Sequence, residues 1–383
     1  MDCFIALCSD PIEFEITTLP IYMNSEKIGV ALIGTGFGQK VHLPALRANP
    51  NIEVVAVYHR DRTTAETIAQ THNIPHACTT VQGTINFPEV QAVTIATPPF
   101  LHYDMAKAAL NEGKHILLEK PTTLNATQAQ QLYELATEKN LMAAMNFEFR
   151  YIPTWQRLSE LLNDGYVGNV RYAKVDWLVS SRADGNRPWN WYAQKDLGGG
   201  ALGAIGSHAF DYITWLLGDV KRVSARLSTS ILQRPDPFDN NQLKSVTADD
   251  TCNILLELNH QVPVQVCLSS VAMQGRGHFI EIYGDRGTLV LGSDNQKDYV
   301  HGFKLFGSQN NEPLQELVIP ASLEFAKTYD DGRIAPIARV VDAWVQAIQT
   351  GEPMSPSLKD GVVSQRIMDA CHISNDTDRW VTL

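Results

Sequence analysis

The sequence predicts an α/β protein in two parts, a doubly wound parallel sheet followed by a domain built on a large, mostly antiparallel open sheet. Three observations carry this reading. Apolar runs without polar alternation, as in strands buried on both faces, alternate with helix-compatible segments over roughly 120 residues from Lys27 onward. Past Tyr151 several long strands follow one another with few helices between them, which implies antiparallel pairing. Between the first strand and the first helix stands a glycine turn, Gly34-Thr35-Gly36-Phe37-Gly38.

In order, Ile28–Ile33 reads as the first buried strand and Gln39–Ala48 as the first helix. Val54–Val57 is a second strand, Thr64–His72 a helix, and Gln91–Thr97 a strand ending at Pro98 and Pro99. Leu101–Glu112 has helical spacing and stops at Gly113, a helix-terminating residue. His115–Glu119, Thr127–Lys139 and Leu141–Phe147 continue the alternation as strand, helix and strand. After a helix over Pro153–Asn163, strands are expected at Val170–Ser180, Val220–Ser230, Thr251–Asn259, Val264–Ala272, Phe279–Tyr283 and Thr288–Leu291. Asp285-Arg286-Gly287 reads as a hairpin turn. Residues 233–248, polar and proline-containing, are expected to form a mobile surface loop. Helical patterns at Ile334–Thr350 and Lys359–Ser374 close the chain, packing back on one face. The expected division is an extension over 1–26, a nucleotide-binding domain over 27–150 and a second domain over 151–383.

At 383 residues, 44% hydrophobic and 19% charged, the chain has the composition of a globular protein with sizeable cores. A net charge of −11 provides no basic field, so neither nucleic acid nor an anionic membrane is an expected partner. Cys3, Cys8, Cys78, Cys252, Cys267 and Cys371 are scattered without a C-x-x-C pair, as in a reducing cytoplasm, and do not suggest a zinc site or disulfide framework. No apolar stretch is long enough to span a membrane. Residues 1–26 lack a basic leader and carry Asp2, Asp10, Glu13 and Glu15, which argues against a signal peptide; Met23 is an alternative start.

Three stretches bear chemistry. In the glycine turn, Gly34 supplies the bend and Gly36 the bare backbone that lets a pyrophosphate approach a helix N-terminus. The third glycine of G-x-G-x-x-G falls at position 39, where Gln39 stands, so an ordinary tight turn is the alternative. Glu119-Lys120-Pro121 ends a parallel strand, where ligands bind in open α/β sheets; otherwise Lys120 is a salt-bridged strand end. In Asp196–Asp211, Gly198, Gly199 and Gly200 precede a helical pattern that places Ala204, His208, Asp211 and Trp215 on one face. His208 there is either a general base or a satisfied core histidine.

The order G-x-G, Thr97-Pro98-Pro99-x-x-His102, Glu119-Lys120-Pro121 and Gly198-Gly199-Gly200 through Gly206-x-His208-x-x-Asp211 resembles the Gfo/Idh/MocA oxidoreductases, relatives of glucose-fructose oxidoreductase and inositol dehydrogenase. The resemblance covers about residues 27 to 383, including Arg150-Tyr151-x-Pro153 and Trp380. It implies an N-terminal Rossmann domain and a C-terminal domain whose open sheet forms an oligomer interface. It further implies cofactor contacts from Gly34, Thr35, Gly36, Phe37, Gly38, Thr97, Pro98, Pro99, His102, Glu119 and Lys120. Substrate contacts would come from Lys120, Arg150, Trp191, His208 and Asp211, with Lys120 and His208 the catalytic pair. The expected reaction is hydride transfer at a secondary alcohol or ketone of a sugar, polyol or related cyclic substrate. The alternatives are a non-catalytic nucleotide-binding regulator of the same fold and a reductase of a non-sugar ring, like biliverdin reductase.

One departure stands out: the family pattern puts an aspartate at 204, where this chain has Ala204. Asp211 could orient His208 instead; the alternatives are that Lys120 and His208 work alone or that the chain binds the nucleotide without turning over. The cofactor expectation is NADP ahead of NAD. A ribose-binding acid belongs at the end of the second strand, and His59, Arg60 and Arg62 stand there instead. A homodimer or homotetramer is expected, because a sheet covered by helices on one side leaves a broad face to shield, and Val264-Gln265-Val266-Cys267-Leu268 alternates in a way that suits a partner.

Overall fold

The structure is a computed structural model that describes residues 27–296, 298–310 and 312–383. The expectations for residues 1–26 lie outside it. Six parallel strands form the first sheet: β1 (Ile28–Ile33), β2 (Ile52–Tyr58), β3 (His76–Cys78), β4 (Ala92–Ile95), β5 (His115–Leu118) and β6 (Ala143–Met145). Their order is β3-β2-β1-β4-β5-β6, with a reversal between β1 and β4. All six residues of β1 are buried, as the unbroken apolar run requires. Helices α1 (Leu43–Ala48), α2 (Arg62–Thr71), α3 (Val81–Ile85), α4 (His102–Asn111) and α5 (Ala126–Glu138) form the crossovers. Asp61 caps α2 by accepting from Thr64 N, and Asn125 caps α5 by accepting from Gln128 N.

The second sheet has nine strands. They are β7 (Val170–Leu178), β8 (Val220–Ser228), β11 (Thr251–Leu258), β12 (Pro263–Ser269), β13 (Gly277–Gly284), β14 (Gly287–Ser293), β15 (Lys304–Gln309), β16 (Gln315–Glu316) and β17 (Val381–Thr382). The order is β16-β15-β14-β13-β7-β12-β11-β8-β17, antiparallel except where β12 runs parallel to β7. Asp285 and Arg286 join β13 to β14 as the hairpin turn expected there. Helices α6 (Pro153–Asn163), α7 (Ser207–Leu217) and α10 (Leu358–Thr377) cover one face, and their apolar sides meet the strands in a single core. α8 (Tyr299–Gly302) is one short turn before β15, and α9 (Ile334–Thr350) turns back to the first sheet. Val340, Val341, Trp344 and Val345 of α9 are buried in the core on one face of the first sheet, together with Leu43, Leu46, Leu117 and Ala144.

Three expectations need correction. Residues 233–248 hold an antiparallel hairpin, β9 (Gln233–Asp236) and β10 (Gln242–Ser245). Its anchors leave no periodic signal: the Arg234 guanidinium donates to the carbonyls of Arg182 and Asp184, and Trp189 Nε1 donates to Ser245 O. The apolar residues of β12 do not await a partner, since Val264, Val266 and Leu268 are buried in the core beneath α6, α7 and α10. The outward positions are Gln265 and Cys267, beside Leu255 and Lys174 and beside Asn253 and Asp176 in turn. The first helix is split, with Gly38–His42 wound as a wide π turn ahead of α1.

Candidate active site

The glycine turn lies where β1 ends beside β4. Gly34 has φ +107°, and a Cβ there would stand 2.4 Å from the Ala96 carbonyl, so no other residue fits without strain. Gly36 is exposed, and a Cβ added to it would meet nothing within 4 Å. The bare backbone at Gly36 therefore opens onto free space at the start of a helix, a cradle that fits a diphosphate. Gly38, buried against Leu32 and Ala96, does the close packing that position 39 does in the usual spacing. Gln39 is free to bond His72 instead, at 2.9 Å. The Phe37 ring lies edge-on to His42, and the Arg333 guanidinium sits 5.1 Å above it.

Glu119 is buried at the end of β5 and is held on three sides. His42 Nε2 donates to Oε1 at 2.7 Å, Asn146 Nδ2 donates to the same oxygen, and Lys120 N donates to Oε2 at 3.2 Å. Burial works against its charge, but His42, Lys120 and Asn146 outweigh it and keep the carboxyl below its usual range. Its visible work is to fix the backbone of Lys120 to the π turn behind the glycine loop. His102 is also fully enclosed, its ring nitrogens bonding the carbonyls of Thr97 and Pro121 at 2.8 and 2.9 Å. It thereby ties the Thr97-Pro98-Pro99 loop to the Lys120-Pro121 bend. Gly198 closes the third side: with φ +75°, it passes so near Pro99 and Leu124 that a Cβ would stand 2.9 Å from the proline ring.

Lys120 is half-buried, and its Nζ donates to the carbonyl of Ala204 at 3.0 Å. That carbonyl belongs to a π turn, Leu202–Gly206, that leads straight into α7, so Lys120 and His208 converge from two separate elements. His208 is 4% exposed at the side chain. Burial, then the charges of Lys120 and His278, holds its pKa well below the usual imidazole value, so the ring is neutral at physiological pH. Phe147, Phe149 and Trp177 enclose it with centroid distances of 6.1, 4.9 and 6.2 Å.

The remaining expected residues have these surroundings. Asp211 does not orient His208, because both its oxygens accept from Arg150, at 2.5 and 3.1 Å. Arg150 also reaches Asp360 and Ser355, and it lines a groove of about 740 Å³ at the far ends of α5 and α7, away from the glycine loop. Trp191 is half-buried in a short turn whose carbonyl lies over Gly199. His59 bonds the backbone of Asp61, and Arg60 is exposed at the end of β2.

Glu148 is the residue that the sequence reading missed. It follows β6 in the 3-10 turn Glu148–Tyr151, and its Oε2 lies 3.8 Å from His208 Nδ1. Burial, then repulsion from Glu119, pushes its pKa up to about 7. The available signal was a carboxylate between Phe147 and Phe149, directly past the C-terminal end of a buried parallel strand, where ligands bind.

The glycine turn, Lys120 and the neutral, buried His208 make up the candidate site. Residues 28–147 match the family model described as "Oxidoreductase family, NAD-binding Rossmann fold", and residues 159–383 match its "C-terminal alpha/beta domain". The chain belongs to the Gfo/Idh/MocA oxidoreductase family. It is 51% identical to an uncharacterized oxidoreductase of Synechocystis sp. over 94% of this chain and 97% of that one. It is 26% identical to levoglucosan dehydrogenase of Pseudarthrobacter phenanthrenivorans over 93% and 98% of the two chains. Among solved structures, an NAD binding oxidoreductase from Klebsiella pneumoniae superposes with a TM-score of 0.81 at 26% identity, over 93% of this chain and 99% of that one.

Proposed function

We propose that this oxidoreductase moves a hydride between NADP(H) and the secondary alcohol or ketone of a sugar, polyol or related cyclic substrate. The carrying observation is the convergence of Lys120 and neutral His208 through the Ala204 carbonyl, beside the glycine cradle. The cradle at Gly34–Gly38 and the loop Thr97–Pro99 would hold the dinucleotide, which supplies a hydride acceptor when bound. Lys120 binds the substrate hydroxyl oxygen and favours its developing negative charge. His208, already neutral, accepts the hydroxyl proton. The likeness to a levoglucosan dehydrogenase supports a sugar-like substrate.

Arg60 supports NADP over NAD, because it is exposed at the end of β2 and pairs with no carboxylate among the described residues. Asp61, the nearest acid, is committed to the N-terminus of α2 through Thr64 N and Oγ1. A charge-assisted hydrogen bond of roughly 1.5–3 kcal/mol to a 2′-phosphate corresponds to about ten- to a hundredfold preference. Fluorescence titration with each nucleotide tests this, and equal affinities, or tighter NAD, would defeat it. A panel of sugars and polyols, followed by nicotinamide absorbance, tests the substrate class. The outward face of the nine-stranded sheet is further proposed to join copies of the chain as a dimer or tetramer, which a monomer mass by light scattering would refute.

A further inference from the structure

The helix that carries His208 has no carboxylate one turn earlier, where Ala204 stands, and Asp211 is occupied by Arg150. A carboxylate faces the ring from a different element. Glu148 Oε2 lies 3.8 Å from His208 Nδ1, and both side chains are 4% exposed. Neither atom has a hydrogen-bond partner among the described residues. A buried donor and acceptor left unpaired call for a functional explanation, and here the two unpaired atoms face each other.

We infer that Glu148 is the positioning residue for His208, supplying from the parallel-sheet side the carboxylate that Ala204 does not. This rests on the reading of His208 as the group that takes the substrate proton. During oxidation the hydroxyl proton passes to His208 Nε2, while the carbinol C–H electron pair goes as hydride to the oxidised nicotinamide nucleotide of the proposed reaction and the C–O bond becomes a carbonyl. The ring is then a cation with a hydrogen on each nitrogen. Nδ1–H donates to Glu148 Oε2, which requires the gap to close by about 1 Å to hydrogen-bond length. Reduction runs the same proton back.

The surroundings explain why such a partner is needed. Lys120 and His278 both oppose a positive charge on His208, and Phe147, Phe149 and Trp177 offer it no hydrogen bond. Glu148 itself faces Glu119, which discourages its ionisation, and Lys120 and Arg333, which favour it. Its carboxyl, pushed up to about 7, is poised to change charge when a cation forms beside it.

Two measurements test the inference. The first needs no substrate: the ring-nitrogen chemical shifts of His208 are followed by NMR from about pH 5 to about pH 9. Wild type is expected to show an inflection near 7 from Glu148, absent in Glu148→Gln. The second is kinetic, on a polyol or sugar that the wild type oxidises. Glu148→Gln should lower kcat roughly 10- to 100-fold and remove the inflection from its pH profile, with nucleotide affinity unchanged. Adding Ala204→Asp to that variant should recover much of the loss, since the carboxylate returns from the neighbouring turn. No inflection in the wild-type ring, or a loss of kcat with an unaltered profile and no rescue, overturns the inference. An inflection in a protein that oxidises no polyol or sugar supports the Glu148–His208 pairing and defeats the substrate reading instead.

Discussion

Lys120 Nζ donates to the carbonyl of Ala204 at 3.0 Å, so the lysine is docked on the same turn that the family pattern would furnish with an aspartate. A carboxylate added there in the presence of Glu148 would compete for Lys120 and crowd a second acid toward His208. Ala204→Asp alone is therefore expected to leave turnover unchanged or lower it, in contrast to its rescue of Glu148→Gln. A rise in kcat above wild type in the single variant would show that Glu148 does not fill the place.

His208→Ala should cost on the order of 10²–10⁴ in rate, the range for a positioned acid/base. Nucleotide dissociation constants should barely change, because the rings that enclose it, Phe147, Phe149 and Trp177, are not part of the glycine turn. Lys120→Ala should lower turnover similarly and disturb nucleotide binding more. Its backbone is clamped by Glu119, which His42 connects to the π turn behind the cradle.

The two glycines of the turn should respond differently to alanine. Gly34→Ala meets the Ala96 carbonyl at 2.4 Å with φ +107°, so the protein should be destabilised and lose nucleotide binding together. Gly36→Ala meets nothing, so its melting temperature should hold while nucleotide affinity falls. Thermal unfolding and fluorescence titration of both variants separate the two outcomes.

Much of this was legible in advance, and the failures share a cause. β1, β2, β4 and β5 announce themselves because strands buried on both faces need unbroken apolar runs. β3 is three residues long, too short for any period, and β9 and β10 are fixed by Arg234 and Trp189 bonding to backbone. In the site, Lys120 and His208 sit in recognisable strings. Glu148 becomes meaningful only when β6 and α7 are brought side by side, which no local pattern records.

Glu148 should leave a pH signature in stability. Its folded pKa of about 7 exceeds the ordinary carboxyl value of 4.5, so its favourable contribution is complete below 4.5 and is lost as pH rises through 7. Glu148→Gln should match wild type near pH 4.5 and become more stable above 7, by up to about 3 kcal/mol. Urea unfolding at the two pH values measures the gap, and a variant no more stable than wild type at high pH would contradict the shift.

Arg150→Ala should destabilise the fold by about 1–3 kcal/mol, because it removes the donor to both oxygens of a carboxyl, that of Asp211, that burial pushes up to about 7, which then takes up a proton and is left short of partners. Denaturant titration reads this directly. Turnover of the protein that remains folded should fall much less than for His208→Ala, since the pair faces the groove beyond α7 and not the imidazole.

The seating of Trp344 on the face of the parallel sheet, where its Nε1 donates to Met142 O, bears on how the protein is made. The parallel sheet is finished when Met145 has been synthesised, yet one of its faces is closed by residues about 200 positions later; at 5–20 residues per second that is a wait of roughly 10–40 s. Nascent chains arrested just past Phe147 should accordingly bind apolar dyes and yield to protease, and full-length chains should not. The nucleotide-binding half of this protein is encoded first but is closed only by a helix near the end of the chain.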